Sequence, residues 1–160
     1  MRIMDEIDLE LLSVLQKQGR MKRNELAEKV GLTTPAVSER MRKMQEKGII
    51  KNYAAIADPL SLQLDMAAFI FVTSESSQYY REIITHAEQE PEILECHAIT
   101  GDGSHILKVR TKNTAALERL LARIQAWKGV IRTRTNIVLS SYKESSALPL
   151  NHLKPKQEDK

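Results

Sequence analysis

Apolar side chains near the N-terminus recur three or four positions apart, which is the spacing of one helix face. They predict a first helix over about residues 5–18. In a second helix Leu26, Ala27 and Val30 share a face. Gly31 follows where a helix commonly ends, because glycine readily adopts the left-handed conformation of a C-terminal cap. Two short helices are therefore expected before residue 32.

A third helix is predicted to begin after Thr33, which is suited to the N-cap. Pro35 falls in its first turn, where a missing N–H costs little. A short strand is then predicted over Ile49–Ile56. The inward face of the third helix carries three apolar residues, Val37, Met41 and Met44. This layout is that of a winged helix-turn-helix, in which the second helix of the motif enters the major groove of DNA.

The rest of the chain predicts a sheet covered by helices. Met66–Val72 is a continuous apolar run, typical of a strand covered on both faces. Ile93–Thr100 and His105–Thr111 are two strands around the turn Gly101–Gly103, and Val130–Tyr142 is a last strand. With a helical pattern after the first strand and another before the last, the order is β-α-β-β-α-β, the ferredoxin-like arrangement. The predicted fold class is thus α+β.

Asp58-Pro59 interrupts the pattern between the two halves, because proline discourages a regular element there. We place a domain boundary near residue 60. The predicted segments are a DNA-binding domain with a linker strand (1–60), a ferredoxin-like domain (61–144) and a polar C-terminal tail (145–160).

Positive charge is concentrated in the first domain. From Lys17 to Lys51 there are ten lysines and arginines against four glutamates, a local surplus of six, although the whole chain carries only +3. Residues 61–144 hold ten basic and ten acidic side chains and are neutral. A surplus on one short element is what phosphate neutralisation requires, so we expect double-stranded DNA as the partner of the first domain.

Composition narrows the class of protein further. No apolar run approaches the ~18 residues needed to cross a membrane. The N-terminus lacks the basic-then-apolar pattern of an export signal. The single cysteine, Cys96, excludes an internal disulfide framework. These features indicate a cytoplasmic protein.

An ordered set of short motifs over residues 5 to 150 resembles the Lrp/AsnC family of leucine-responsive and asparagine-synthesis regulators. The motifs are Asp5-x-x-Asp8-x-x-Leu11-Leu12, Gln18-Gly19-Arg20, Glu25-Leu26-Ala27, Gly31-Leu32, Val37-x-x-Arg40-Met41-x-x-Met44, Gly48-Ile49-Ile50-x-x-Tyr53, Glu95-Cys96-His97-x-x-x-Gly101-Asp102 and Gly129-Val130-x-x-Thr133-x-Thr135.

The resemblance implies a transcriptional regulator whose second domain forms homodimers by sheet pairing, with further assembly to tetramers or octamers. It also implies a small effector, usually an amino acid, bound between dimers against the loop before the third strand and against the last strand. The residues that the resemblance assigns to this site are Gly101, Asp102, Gly103, Ser104, His105, Thr133 and Thr135.

The chain departs from the family pattern in the effector loop. Members commonly have Asp-Tyr at the places of Ser104 and His105. A carboxylate there can receive an α-ammonium group, whereas serine offers only a neutral hydroxyl. Asp102, two residues earlier, is a potential substitute. We therefore expect weak or altered sensing of leucine-like amino acids.

Outward-facing side chains of the third helix are the candidate readers of DNA bases. Ser38, Glu39 and Arg42 project from it. Arginine pairs bidentately with guanine, glutamate accepts from cytosine, and Pro35 can touch a thymine methyl. The alternative for Glu39 is a solvated ion pair with Lys43, one turn further along the helix.

Other basic residues are more suited to phosphates, and Lys22, Arg23, Lys43 and Lys51 are assigned to them. Arg40 lies on the flank of the third helix, where it either braces helix packing or touches DNA. The complete predicted DNA-binding set is Lys22, Arg23, Thr33, Thr34, Pro35, Ser38, Glu39, Arg40, Arg42, Lys43 and Lys51.

Cys96, His97 and His105 raise the question of a metal site. If Thr100 lay opposite His105 across the turn, His97 would lie near Lys108, and no convergent set of ligands would form. We therefore predict no metal, no cofactor and no catalytic site.

Two other functions stay open at this point. Some tetrapyrrole decarboxylases resemble this architecture, and such an enzyme would recruit His97 or His105 toward heme. The basic third helix argues against that, because the enzyme needs no phosphate contacts. A nucleoid-architectural protein with little sequence preference is the other alternative.

Overall fold

The computed structural model describes residues 4–153. Residues 1–3 of the predicted first domain and 154–160 of the predicted tail lie outside this range. The chain divides into two compact units: one ends at Ile56 and also includes the segment from Lys143 onward, and the other is Ala57–Tyr142. None of the helices in the described part of the chain combines the length and apolar character that crossing a bilayer requires.

The first unit contains three helices: α1 (Glu6–Leu15), α2 (Arg23–Val30) and α3 (Thr34–Glu46). The N-caps and C-caps follow from the sequence. A capping box starts α1, in which Asp5 Oδ1 accepts from the Asp8 N–H at 2.8 Å. Gly31 ends α2 with φ +66°, and the Thr33 hydroxyl accepts from the Ala36 N–H at the start of α3. The first helix ends at Leu15, three residues earlier than predicted.

The inward face predicted for the third helix is confirmed. Val37, Met41 and Met44 are 0%, 8% and 2% exposed and pack against the other two helices. The buried cluster of this unit is completed by Leu11, Leu15, Leu26, Ala27 and Ile50. Burial of these side chains holds α3 in place and leaves its opposite side open to solvent.

The strand predicted over Ile49–Ile56 is wrong for the described chain. Ile50 is buried under α3, but residues 51–58 pair with no strand, and Ile56 is 87% exposed. A strand needs a neighbour to satisfy its backbone groups, and the sequence pattern supplies the residue types without supplying the partner.

The second unit has the predicted β-α-β-β-α-β order, so the ferredoxin-like arrangement is confirmed. Its elements are β1 (Met66–Ser74), α4 (Tyr80–Gln89), β2 (Ile93–Ala98), β3 (His105–Thr111), α5 (Thr114–Gln125) and β4 (Val130–Ile137). The four strands form one antiparallel sheet in the order β2-β3-β1-β4. The last strand ends five residues before the predicted Tyr142.

The helices α4 and α5 cover one face of this sheet. Ile70 and Leu107 are fully buried there, together with Ile83 and Leu120 from the two helices. The other face is not covered in the way that the apolar run of β1 led us to expect, since Phe69 on that face is 37% exposed. The prediction that β1 is covered on both faces is therefore wrong for the single chain.

The register of the β2–β3 hairpin also differs from the prediction. Ala98 lies opposite His105, and His97 lies opposite Ile106. The prediction put Thr100 opposite His105, so the residue of β2 that faces His105 lies two positions earlier than predicted. The connection between the strands is six residues long, and within it the Ile99 N–H donates to the Ser104 carbonyl.

The described part of the predicted tail packs on the helical unit. Gln16 holds the backbone of Leu148 by two hydrogen bonds: its Nε2 donates to the Leu148 carbonyl at 3.2 Å, and its Oε1 accepts from the Leu148 N–H at 2.6 Å. A reciprocal pair of this kind fixes both the position and the direction of the segment against the end of α1.

We expect Gly129→Ala to destabilise the protein more than Gly101→Ala. Both glycines have positive φ, +81° and +102°, and a left-handed alanine costs about 1–2 kcal/mol at either position. Only at Gly129 would the added Cβ also meet a neighbour, the ring of Tyr79 at 2.2 Å, which adds about 1–3 kcal/mol of overpacking. Urea unfolding of both variants measures the difference. Equal losses would contradict this account of the Gly129–Tyr79 contact.

Candidate DNA-binding and effector sites

The solvent side of α3 carries the polar residues predicted to read DNA. Glu39, Arg42 and Lys43 are exposed, and Ser38 is half-buried beside them. The start of the helix is exposed too, at Thr33, Thr34 and Pro35. The predicted readers and the helix N-terminus therefore lie on one accessible surface.

Arg42 is the centre of an ion-pair network on this surface. Its Nε and Nη2 donate to the two carboxylate oxygens of Glu39 at 2.8 and 2.7 Å, and its Nη1 pairs with Glu46. Lys43 adds a longer contact to Glu39 at 3.6 Å. The hydrogen bonds from Arg42 lower the pKa of Glu39 to about 2. The predicted Glu39–Lys43 pair thus exists, but Arg42 is the dominant partner.

Arg40 points away from this network and toward α1. Its Nη1 lies 2.7 Å from both Asp5 Oδ2 and Asp8 Oδ1. These are the two residues of the capping box that starts α1. Of the two roles left open for Arg40, this geometry supports bracing between α3 and α1, and its contact with DNA stays a prediction.

Three of the residues assigned to phosphates lie at the start of the helix-turn-helix and after its last helix in the chain. Lys22, Arg23 and Lys51 are exposed and form no ion pair within residues 4–153. Lys22 is the N-cap of α2, Arg23 is the first residue of that helix, and Lys51 lies five residues after the end of α3 at Glu46. Their charges are therefore available to a polyanion.

In the second unit, the loop before β3 borders a cavity of about 340 Å³. Its lining comes from the loop, the end of β1, the start of α4 and β4: Gly101, Asp102, Gly103, Ser104, Thr73, Ser74, Tyr80 and Arg132. Gly103 is tight against the neighbouring strand, because a Cβ there would lie 2.9 Å from the Val72 carbonyl oxygen. Four of the seven predicted effector residues thus meet at one cavity.

Two arginines of β4 occupy the face of the sheet next to this loop. Arg134 donates to Asp102 Oδ2 at 2.9 Å and stacks over the ring of Phe71 at 4.6 Å. Arg132 lines the cavity and has no ion pair among the described residues. Neither arginine is among the effector residues predicted from the sequence, although both alternate with Thr133 and Thr135 along the strand and therefore face the opposite side of the sheet.

Thr133 and Thr135 are not brought to the loop. They lie opposite Val72 and Ile70, so they share the face that the helices cover. The Thr133 hydroxyl accepts from Gln125 Nε2 of α5 at 3.0 Å. Within one chain the predicted effector set therefore separates, and the strand presents its arginines to the loop instead of its threonines.

His105 is also separated from the cavity lining. It is fully buried, and its ring meets that of Tyr80 edge-on with centroids 4.7 Å apart. Nδ1 lies 3.0 Å from the Ser104 hydroxyl, whereas the buried Nε2 has no hydrogen-bond partner among the described residues. Burial lowers the pKa of His105 below its usual value. His105 therefore acts as a neutral core residue in the folded chain.

The other residues considered for metal binding do not meet. His97 is exposed and lies 3.2 Å from Glu95, while Cys96 is half-buried against the core, where burial raises its thiol pKa. Within residues 4–153 no three histidine, cysteine or acidic side chains are grouped as metal ligands.

Comparison with known protein families assigns a family to each of the two units. Residues 4–51 match the winged helix-turn-helix DNA-binding family, and residues 67–148 match the Lrp/AsnC ligand binding domain. The chain belongs to the Lrp/AsnC family. It is a transcriptional regulator of the Lrp/AsnC type, and the resemblance noted in its motifs is confirmed.

Relatives match the Lrp/AsnC chain over nearly its whole length. The HTH-type transcriptional regulator FL11 of Pyrococcus horikoshii is 38% identical, with 92% of this chain and 97% of that protein covered. The leucine-responsive regulatory protein of Escherichia coli is 32% identical, with 91% and 90% covered. A transcriptional regulator of Neisseria meningitidis, solved with L-methionine, superposes with a TM-score of 0.89 at 32% identity and covers 94% of this chain and 99% of its own.

We expect buried His105 to make stability depend on pH. In the unfolded chain His105 takes up a proton near its ordinary pKa of about 6.5. In the folded chain burial lowers the pKa of His105, so protonation requires a lower pH. The free energy of unfolding should therefore fall below pH 6.5, by up to ~1.4 kcal/mol per pH unit until the lowered pKa is reached. Urea unfolding at pH 7.5 and 5.5 measures this loss, which His105→Phe should reduce. His97→Gln, at an exposed position, is the control and should retain it. An undiminished loss in His105→Phe would contradict the assignment.

Proposed function

We propose that this regulator reads its operator through the exposed side of α3 and that a small amino acid modulates its assembly or DNA affinity. The observation that carries the proposal is the arrangement on α3, where the candidate base readers face solvent, together with exposed basic residues without an ion pair in the described chain that come before and after the motif in the sequence. DNA is the partner, so we place the function in the cytoplasm, where prokaryotic DNA lies.

Arg42 is the main reader in this proposal. In the free chain its guanidinium is held by Glu39 and Glu46. Exposed ion pairs of this kind contribute little, so a guanine that offers O6 and N7 can replace them. Glu39, once released, is free to accept from a neighbouring cytosine. The ion pairs therefore hold the side chains of Arg42 and Glu39 in place before DNA binds, and DNA bases can replace these ion pairs.

The effector part of the proposal is supported by the second unit. The Neisseria relative was solved with L-methionine, which supports an amino acid as the class of ligand proposed for this chain. The cavity beside Gly101–Ser104 has hydroxyls, backbone groups and an arginine in reach of such a ligand. We propose this cavity as the chain's own contribution to the effector site.

Homodimer formation is proposed to use the uncovered face of the sheet. Phe69 is 37% exposed on it, and Phe71 and Ile106 lie half-buried on the same face. An exposed apolar face on an otherwise charged chain is a common mark of an interface. Pairing of two such faces would also give the recognition helices the two-fold relation that operator half-sites require.

We propose no enzymatic activity for the chain. The heme alternative relied on His97 or His105. These occupy opposite faces of the sheet, His97 on the uncovered face beside Glu95 and His105 in the core. A shared histidine site is therefore not formed within the chain. A heme absorbance titration tests this, and saturable heme binding would contradict it.

We expect Arg42→Ala to weaken operator binding about ten- to a hundredfold and to relax the preference for one base pair, because a bidentate guanine contact is lost. Lys51→Ala should weaken all DNA about equally and reduce the salt slope by roughly one, as expected for a phosphate contact. Fluorescence anisotropy with operator and random DNA at several salt concentrations measures both. The same sequence-independent loss in both variants would contradict the division into readers and phosphate contacts.

We expect Phe69→Asp to break the homodimer. A carboxylate placed on the uncovered face would be desolvated in the interface without a partner, which is strongly unfavourable. Light scattering of the full chain measures the assembly. Ile84→Asp, at a 40% exposed apolar position on α4, is the matched control and should leave the assembly intact. Loss of assembly in both variants or in neither would exclude this face as the specific interface.

A further inference from the structure

The cavity beside Gly101–Ser104 is polar and carries a charge that no described residue balances. Three charged side chains lie at this cavity. Arg132 and Asp102 line it, and Arg134 forms an ion pair with Asp102. The carboxylate of Asp102 lies 2.9 Å from Arg134, so its charge is already compensated. Arg132 has no ion pair within residues 4–153. The site therefore has one net positive charge.

Nothing else in the lining supplies a negative charge. Ser104 stands where the family pattern has an acid, and its hydroxyl donates to the Val72 carbonyl oxygen at 3.1 Å while contacting His105 Nδ1. The Ser104 hydroxyl is therefore uncharged, and its hydrogen-bonding capacity is already used within the chain. The remaining side chains with polar atoms are Thr73, Ser74 and Tyr80, which add hydroxyls and no charge. An apolar amino acid would thus leave Arg132 uncompensated after its own carboxylate and ammonium had cancelled.

We propose that the effector of this chain is a small dicarboxylate, and that Arg132 binds one of its carboxylates. An acidic amino acid such as glutamate has one net negative charge, which matches the cavity. The planar guanidinium of Arg132 can hold a carboxylate by two parallel hydrogen bonds. The inference rests on the proposed effector response of this site and adds to it the chemical class of the ligand.

Asp102 distinguishes two sources of the same dicarboxylate chemistry. Its ion pair with Arg134 is solvent-exposed, at 73% and 52% of the two side chains, so a ligand ammonium can compete for the carboxylate. An amino acid uses both Arg132 and Asp102, whereas an oxo acid uses Arg132 alone. Glutamate and 2-oxoglutarate differ in this respect and have similar length.

Isothermal titration calorimetry of the full chain with L-glutamate, 2-oxoglutarate and L-leucine tests the proposal. We expect at least one dicarboxylate to bind and leucine to bind more weakly than it. Arg132→Gln should weaken the dicarboxylate about ten- to a hundredfold, the usual effect of losing charge-assisted hydrogen bonds to a carboxylate. Arg119→Gln, an exposed arginine on α5, should leave the affinity unchanged.

A second variant neutralises the net charge of the cavity. Ser104→Asp adds a carboxylate to the lining, so dicarboxylate binding should weaken and the preference should move toward neutral amino acids such as leucine. Leucine binding to the natural chain as tightly as the tighter of the two dicarboxylates, or a dicarboxylate affinity unchanged in Arg132→Gln, would overturn the proposal.

DNA binding without ligand separates this inference from the proposed function. Arg132→Gln should bind operator as the natural chain does when light scattering shows the same assembly, because Arg132 lies outside the unit that contains α3. The assembly is measured with it because Arg132 shares the sheet face of Phe69. If a dicarboxylate binds through Arg132 but changes neither assembly nor DNA affinity, the effector part of the proposed function fails while the ligand class stands. If DNA affinity responds to leucine alone, the ligand class fails and the regulatory function stands.

Discussion

The register of β1 in the middle of the sheet is the constraint on which the second unit depends. Val72 lies between His105 and Thr133, so all three side chains face the helices. Their neighbours alternate to the other face, where Thr73 lies opposite Arg132. A slip of one residue would exchange the two sets and expose the core, so burial of the core face also determines which residues reach the effector loop.

The DNA-binding unit uses charge in two different ways. Arg40 joins α3 to the capping box of α1 and thereby links the orientation of the recognition helix to the start of the fold. Arg42, two residues further on, faces solvent and is held only by exposed glutamates. In the proposed function, Arg40 fixes the position of the helix and Arg42 is free to exchange its glutamates for DNA, which is the arrangement expected of a preorganised reading surface.

Local signals in the sequence were enough for the start and the buried face of α3 and for the end of α2, because caps and helix faces depend on neighbouring residues. They were not enough for the strand predicted over Ile49–Ile56, which needs a partner strand. Thr33, Gly31 and the face of Val37 are in the predicted places. The effector site depended on non-local pairing. The apolar run of β1 does not reveal which face is covered, and Thr133 was selected over Arg132 because strand parity is fixed only by the partner strand. The hairpin register was also mispredicted, because the length of the β2–β3 connection is set by the pairing of the two strands and cannot be read from the turn residues alone.

Sequence reading by α3 is tested most directly by the ratio of operator to random-DNA affinity at physiological salt, with an operator selected from a random pool. Sequence-specific regulators bind their sites at least about 10³-fold more tightly than random DNA, and the account predicts a ratio in that range. A ratio near one, with strong salt dependence, would show that the chain binds only the phosphate backbone as an architectural protein and would contradict the account.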